Sequence, residues 1–171
     1  MISERLFEEL NKQMNFEFYS AHIYLALAGY CAAQDLDGFT NFFKVQAEEE
    51  KFHAMKFFDF IKEMDGRIYF DGMPCPSNDY ESIVEAFSTA LEHEKIVTSR
   101  IYNLMDIATE EREHATISFL KWFIDEQVEE MSTVSNIIKK LQRIEKDPHA
   151  IYVLDRELAT RTFVPPTPTN A

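Results

Sequence analysis

Glycine and proline are scarce in this chain, and where they are missing matters more than where they occur. Only four glycines and six prolines are present. Gly29 alone interrupts a helical pattern; Gly38, Gly66 and Gly72 fall at segment ends or in a loop, and no proline lies inside a periodic stretch. That excludes a turn-rich all-β chain and favours long helices. Cysteine is nearly absent too: Cys31 and Cys75 stand alone, with no Cys-x-x-Cys, so a reduced, cytoplasmic setting is expected. The longest apolar stretch, roughly Ala21 to Ala33, contains His22 and is too short to span a bilayer. The start Met1-Ile2-Ser3-Glu4-Arg5 is charged at once, so no secretory signal is expected. Positive charge is the last shortage: 17 Lys and Arg face 30 Asp and Glu, a net charge of -13. An acidic surface argues against nucleic acid and anionic membrane as partners and favours cations.

What the chain does have is helical period and phenylalanine. Fifteen Phe in 171 residues supply a large packed core for one domain. Helix α1 is expected from about Glu4, behind a Ser3 cap, to Gln34, followed by a turn at Asp35-Leu36-Asp37-Gly38. Helix α2 then runs to Asp65, with Gly66 as its stop. Residues 66–80 carry Pro74 and Pro76 and have no helical period. Helix α3 opens at the capping box Ser82-Ile83-Val84-Glu85 and ends near Ala108. Thr109 to His114 reads as a charged turn, and α4 runs to about Ile144. Asp147-Pro148 opens a short α5. Residues 1–160 form one domain, and 161–171, with three prolines, an extended tail. Short α1–α2 and α3–α4 turns make antiparallel hairpins. The loop between α2 and α3, about 15 residues, reaches on the order of 50 Å. Helix α2 is only about 40 Å long. The loop can therefore cross the whole bundle and leave α2 and α3 parallel, in an all-α four-helix bundle with a long crossover.

Steps of seven residues keep one helix face. On that basis the strides Leu10-Glu17-Tyr24-Cys31, Phe43-Glu50-Phe57-Met64, Phe87-Glu94-Ile101-Ala108 and Leu120-Gln127-Val134-Leu141 each place one polar group among apolar ones. Burying such groups costs several kcal/mol each unless something pairs with them. Helix α2 adds His53 to the face of Glu50, and α4 adds Glu130 to the face of Gln127. Four carboxylates, one imidazole and one amide suit two cations bridged by a carboxylate, Glu50 being the best bridge. Oxygen-rich ligation with one His favours iron over copper or structural zinc. Glu49, Glu126 and Glu129 each precede an inner residue by one and flank the axis, as a third cation position or as a solvated acidic face.

Glu17, Glu50-x-x-His53, Glu94 and Glu126-Gln127-x-x-Glu130, in this order on a bundle with a fifth short helix, closely resemble the non-haem ferritins of bacteria and archaea. The likeness covers roughly residues 1 to 160. It implies a cage of 24 chains that oxidises Fe(II) with O2, or peroxide, at a di-iron centre and stores Fe(III) oxide-hydroxide: a ferroxidase and iron store. It implies that Glu17, Glu50 and His53 hold the first iron. Glu50, Glu94 and Glu130, with Gln127 nearby, hold the second. Glu49, Glu126, Glu129 and Glu130 match a third iron site. Tyr24 matches a tyrosine beside the centre, donating a hydrogen bond or an electron, and Trp122 matches a family position for which core packing is expected.

Haem is not expected. Where the haem-binding relatives repeat Glu-x-x-His on the fourth helix this chain has Gln127-x-x-Glu130, and where they place the haem methionine it has Lys51. A second Glu-x-x-His, Glu111 to His114, lies in the charged turn with Glu110 and Glu113; a solvated turn is expected there, with a cation funnel as the functional alternative. His22, His93 and His149 carry no ligand spacing and read as surface or packing residues. Two rival functions share the same ligands: a peroxide-reducing di-iron protein and a non-catalytic metal buffer.

Overall fold

Five helices build the chain in a computed structural model that describes residues 2–165: α1 Glu4–Ala32, α2 Asp37–Glu63, α3 Ile83–Glu110, α4 His114–Ile144 and α5 Pro148–Leu158. The caps read from sequence are in place. The Ser3 hydroxyl accepts from the Leu6 amide and the Ser82 hydroxyl from the Glu85 amide, while Asp147 accepts from the amides of His149 and Ala150. The Glu85 carboxylate returns to the amide of Glu81 rather than that of Ser82.

Three boundaries differ from the expectation, for a shared reason. Asp35, Asp65 and Arg112 take positive φ, at 56°, 61° and 54°. Each closes its helix with an amide reaching back five residues: Leu36 to Cys31, Gly66 to Ile61 and Glu113 to Ala108. The left-handed residue after α2 is therefore Asp65, and Gly66 is needed for space instead, because a Cβ there would lie 2.3 Å from the Phe7 ring. Gly38 lies inside the first turn of α2 rather than in the preceding turn. A Cβ on it would meet the Asp155 carbonyl oxygen of α5 at 1.6 Å. That close approach lets the Asp155 carboxylate accept from the Phe39 amide at 2.9 Å, so α5 caps α2 from outside the helix.

The direction of each helix follows from which ends share a core. One apolar cluster joins the end of α1, the starts of α2 and α3 and the end of α4 (Leu27, Phe39, Phe43, Phe87, Leu141), roofed by Leu154 and Leu158 of α5. The other joins the opposite ends (Leu6, Leu10, Phe57, Ile61, Leu104, Phe123). Helices α2 and α3 thus run parallel. The crossover between them is pinned to α1 by two asparagines. Asn11 donates to Arg67 O and accepts from Tyr69 N, and Asn15 donates to Tyr69 O and accepts from Asp71 N. Between the two apolar clusters lies a polar layer. No helix among the described residues is long and apolar enough to cross a membrane. Of the expected tail, 161–165 is irregular and 166–171 lies outside the described residues.

Candidate metal centre

Each of the four long helices delivers one buried polar group to the same layer: Glu17, Glu50 and Glu94 have no exposure and Gln127 has 2%. Helical spacing brings two more, because residues three apart lie on one face. His53 stands with its Nδ1 3.4 Å from Glu50 Oε2, and Glu130 lies with its Oε1 3.9 Å from His53 Nε2. Ligand atoms from Glu17, Glu50 and His53 come within 4.8 Å of one another, as do those of Glu50, Glu94 and Glu130, and those of His53, Glu126 and Glu130. Glu50 belongs to the first two groups and so stands between two cation positions.

Three carboxylate oxygens in this layer have no hydrogen-bond partner: Glu17 Oε2, Glu50 Oε2 and Glu130 Oε2. Buried acceptors are almost always paired, so three orphans converging from α1, α2 and α4 mark a layer that could hold a cation. The electrostatics agree. Burial, then the charges of Glu94 and Glu17, pushes the Glu50 carboxyl well above its usual range. Burial, then Glu94 and Glu50, does the same to Glu130. Burial also raises Glu17, against the pull of His53. Without a cation, burial and mutual repulsion favour the protonated form of these carboxyls.

Amides and hydroxyls orient the carboxylates. Gln13 Nε2 donates to Glu17 Oε1 at 2.8 Å while Gln13 Oε1 accepts from Arg100 at 2.9 Å. Gln46 Nε2 donates to Glu130 Oε1 at 3.1 Å and to Glu50 Oε1 at 3.4 Å, while its Oε1 accepts from Arg161 at 3.0 Å. In both pairs the arginine claims the amide oxygen, which turns the amide nitrogen toward the acids. Gln127 donates to Glu94 Oε2 at 2.9 Å and to the Thr98 hydroxyl at 3.3 Å, so it meets the layer as a donor to a carboxylate. The Tyr24 hydroxyl donates to Glu94 Oε1. Burial, then the Glu94 charge, holds that phenol well above its usual range, so it stays protonated and donates. Ser20 donates to Phe16 O, so the 2.7 Å contact between Ser20 Oγ and His93 Nε2 requires the proton on His93 Nε2.

The outer acids separate. Glu126 joins His53 and Glu130, whereas Glu49 is drawn to Arg161 at 2.5 Å and Glu129 is exposed. Neither Glu49 nor Glu129 joins a three-ligand group among the described residues. Trp122 is half-buried at the rim, its ring edge-on to His53 at 5.4 Å and beneath the Lys56 ammonium at 4.4 Å. In the α3–α4 turn, Glu113 caps α4, accepting from the Thr116 amide and hydroxyl at 2.9 Å each, and those bonds hold its carboxyl below the usual range. Glu111 is the C-cap that follows α3, and His114 is exposed. His22 and His149 are exposed, and Cys31 is buried with its thiol pushed up to about 12.

Sequence reading missed four residues here: Gln13, Gln46, Arg100 and Arg161. The glutamines carried a legible signal, since each stands four residues before a buried glutamate, Glu17 or Glu50. The arginines carried none, because Arg100 arrives from another helix and Arg161 from beyond α5.

Comparison with known proteins agrees with this architecture. A family model described as a ferritin-like domain matches residues 7–144. A bacterial non-heme ferritin of Staphylococcus aureus strain MRSA252 is 45% identical over 163 residues, covering 95% of this chain and 98% of its own. One from Staphylococcus haemolyticus is also 45% identical over 163 residues. Among solved structures, an open pore ferritin from the hyperthermophilic archaeon Archaeoglobus fulgidus superposes with a TM-score of 0.93 at 42% identity, covering 95% of this chain and 100% of that one. An engineered closed form of the Archaeoglobus fulgidus ferritin gives 0.94 at 43% identity, covering 96% and 100%. The buried ligand layer, the long crossover and these matches along nearly the whole length place the chain in the ferritin family, among the non-haem ferritins.

Proposed function

We propose that this protein is an iron-storage ferroxidase, with Fe(II) as substrate and O2 as oxidant, acting in a cage of 24 chains in the cytoplasm. Residues 1–160 form the working unit. The observation that carries the reading is the set of three unpaired carboxylate oxygens, on Glu17, Glu50 and Glu130, converging beside His53 in the buried core. Glu17, Glu50 and His53 hold one ion, and Glu50, Glu94 and Glu130 hold the next; Glu126 with His53 and Glu130 offers a third position.

The chain's own groups perform defined tasks. Glu50 and Glu130 hold protons when no cation is present and give them up when one arrives, so ion binding releases protons. Each Fe(II) yields one electron to the oxidant, and the resulting Fe(III) is the product that moves on to mineral. Gln13, Gln46 and Gln127 hold the carboxylates in fixed rotamers before the ion arrives. Tyr24 fixes one oxygen of Glu94 and leaves the other to Gln127 and the ion.

The test is aerobic loading with Fe(II), followed by iron and protein analysis across a gel-filtration peak. A storage ferroxidase carries far more iron per chain than its three ligand groups can hold, co-eluting with a particle of about 24 chains. Iron that stops at two or three per chain in a small oligomer overturns the storage reading.

A further inference from the structure

The first residues after α5 turn back to the metal centre and place a fixed positive charge there. The guanidinium of Arg161 donates to Glu49 Oε2 at 2.5 Å, to Gln46 Oε1 at 3.0 Å and to the carbonyl of Phe42 at 3.4 Å, and it lies 4.4 Å above the Phe42 ring. The ion pair is sheltered, with side-chain exposures of 24% for Arg161 and 21% for Glu49. Its backbone is held independently: the Asn41 amide donates to the carbonyls of Leu158, Ala159 and Arg161.

We propose that Arg161 is a tethered cation that occupies the outer carboxylate of the metal centre, so that a third metal ion binds only by displacing it. Two features of the site follow from this. Glu126, Glu130 and His53 gather into a ligand group that lacks Glu49, and Glu49 is the acid Arg161 has taken. Glu130 keeps Oε2 unpartnered while its Oε1 is held by Gln46, the same amide whose oxygen Arg161 holds. One guanidinium therefore touches the outer position directly through Glu49 and the inner position through Gln46.

The exchange is chemically balanced. An arriving divalent cation takes the Glu49 carboxylate, the guanidinium is released toward solvent, and net charge at the site rises by one rather than two. Gln46 then loses the donor that fixed its amide, which loosens its hold on Glu50 and Glu130. When the ion leaves for the mineral, Arg161 returns and restores both contacts. The segment after α5 thus keeps the outer position weak in its grip on ions. A bidentate-capable arginine suits this better than lysine, since the planar fork holds carboxylate and amide together.

This inference rests on the ferroxidase reading for the identity of the ion, and redox-silent Zn2+ separates the two. Zn2+ is titrated by calorimetry into the assembled wild-type protein and into Arg161→Gln, Arg161→Lys and Arg161→Gln with Glu49→Gln. Wild type is expected to take two tight ions per chain and a weak third. Arg161→Gln is expected to tighten the third ion roughly tenfold or more, since a charge-assisted contact no longer has to be broken. Arg161→Lys is expected to show a smaller gain and guards against a folding defect in the glutamine variant. Adding Glu49→Gln is expected to abolish the gain. A third ion that binds no tighter in either Arg161 variant overturns the proposal, as does a gain that survives Glu49→Gln. Fewer than two tight ions in wild type counts instead against the proposed centre, and the difference between variants still decides the role of Arg161.

Discussion

Near the α5 end of the bundle Phe43 and Phe87 face each other with ring centroids 4.6 Å apart, fully buried. One heptad further along the same two helices stand Glu50 and Glu94, just as fully buried. The helices, their facing directions and the burial are alike, and only the side chains change. At the apolar ends the buried side chains pack into two hydrophobic clusters. In the waist, three carboxylate oxygens have no hydrogen-bond partner. The difference teaches that the waist's own contacts, the glutamine and tyrosine hydrogen bonds, leave part of its carboxylate surface unmatched. The apolar ends hold four helices in register, and the waist is an electrostatically strained layer of buried acids that could hold cations.

The sharpest way to break this comparison is to alter one region and read both properties. Glu50→Ala or His53→Ala is expected to slow rapid Fe(II) oxidation by more than ~100-fold in stopped-flow absorbance, while the cage still elutes intact. Phe87→Ala should do the reverse. It removes a fully buried ring from the apolar end and is expected to cost about 3–5 kcal/mol, read as a large fall in the thermal midpoint, with ligand geometry preserved at the waist. Loss of activity together with stability in both variants would erase the distinction between the regions.

The pH dependence of the metal-free protein tests the strain directly. Glu50 and Glu130 have raised pKa values when folded, so the folded state binds more protons than the unfolded one. The stability they support is present below the ordinary carboxylate pKa of about 4.5 and is lost as pH rises through their raised values. The thermal midpoint of metal-free protein is therefore expected to fall between mildly acidic and neutral pH, and Glu50→Gln is expected to flatten that fall. Zn2+ is expected to stabilise more strongly as pH rises, because its ligands must be deprotonated. A profile unchanged by Glu50→Gln would place the strain elsewhere.

A smaller effect is expected from Tyr24→Phe. The ring still stacks on Phe43, with centroids 6.1 Å apart, but Glu94 loses its hydroxyl donor. Oxidation is expected to slow roughly threefold to tenfold with little change in melting. The smallest concerns the joints rather than the waist. Asp65 holds φ at 61°, so Asp65→Gly is expected to stabilise by about 1 kcal/mol in thermal unfolding and leave oxidation untouched.

The heptad strides carried most of the fold. Every stride position except Met64 is buried, because a period fixed by 3.6 residues per turn needs no tertiary knowledge to be read. Caps at Ser3, Ser82 and Asp147 were legible for the same local reason. Gly38 and Gly66 were misread because glycine was assigned to turn geometry when steric approach by Asp155 and Phe7 selected it. Of the outer acids Glu126 gathers with His53 and Glu130 while Glu49 pairs with Arg161, because a step of one residue around a helix says which way Glu49 points but not which cation waits there.

The sequence by itself determined that four helices would each bury one polar group at the same height, since periodicity and loop length are local properties of the chain. It also determined that Glu50 and His53 share a face. Tertiary structure alone decided how those groups are held. Arg100 reaches Gln13 from another helix, and Arg161 reaches Gln46 and Glu49 from beyond α5, across more than a hundred residues of chain. Such contacts depend on where distant segments dock, and no spacing rule along one helix encodes that.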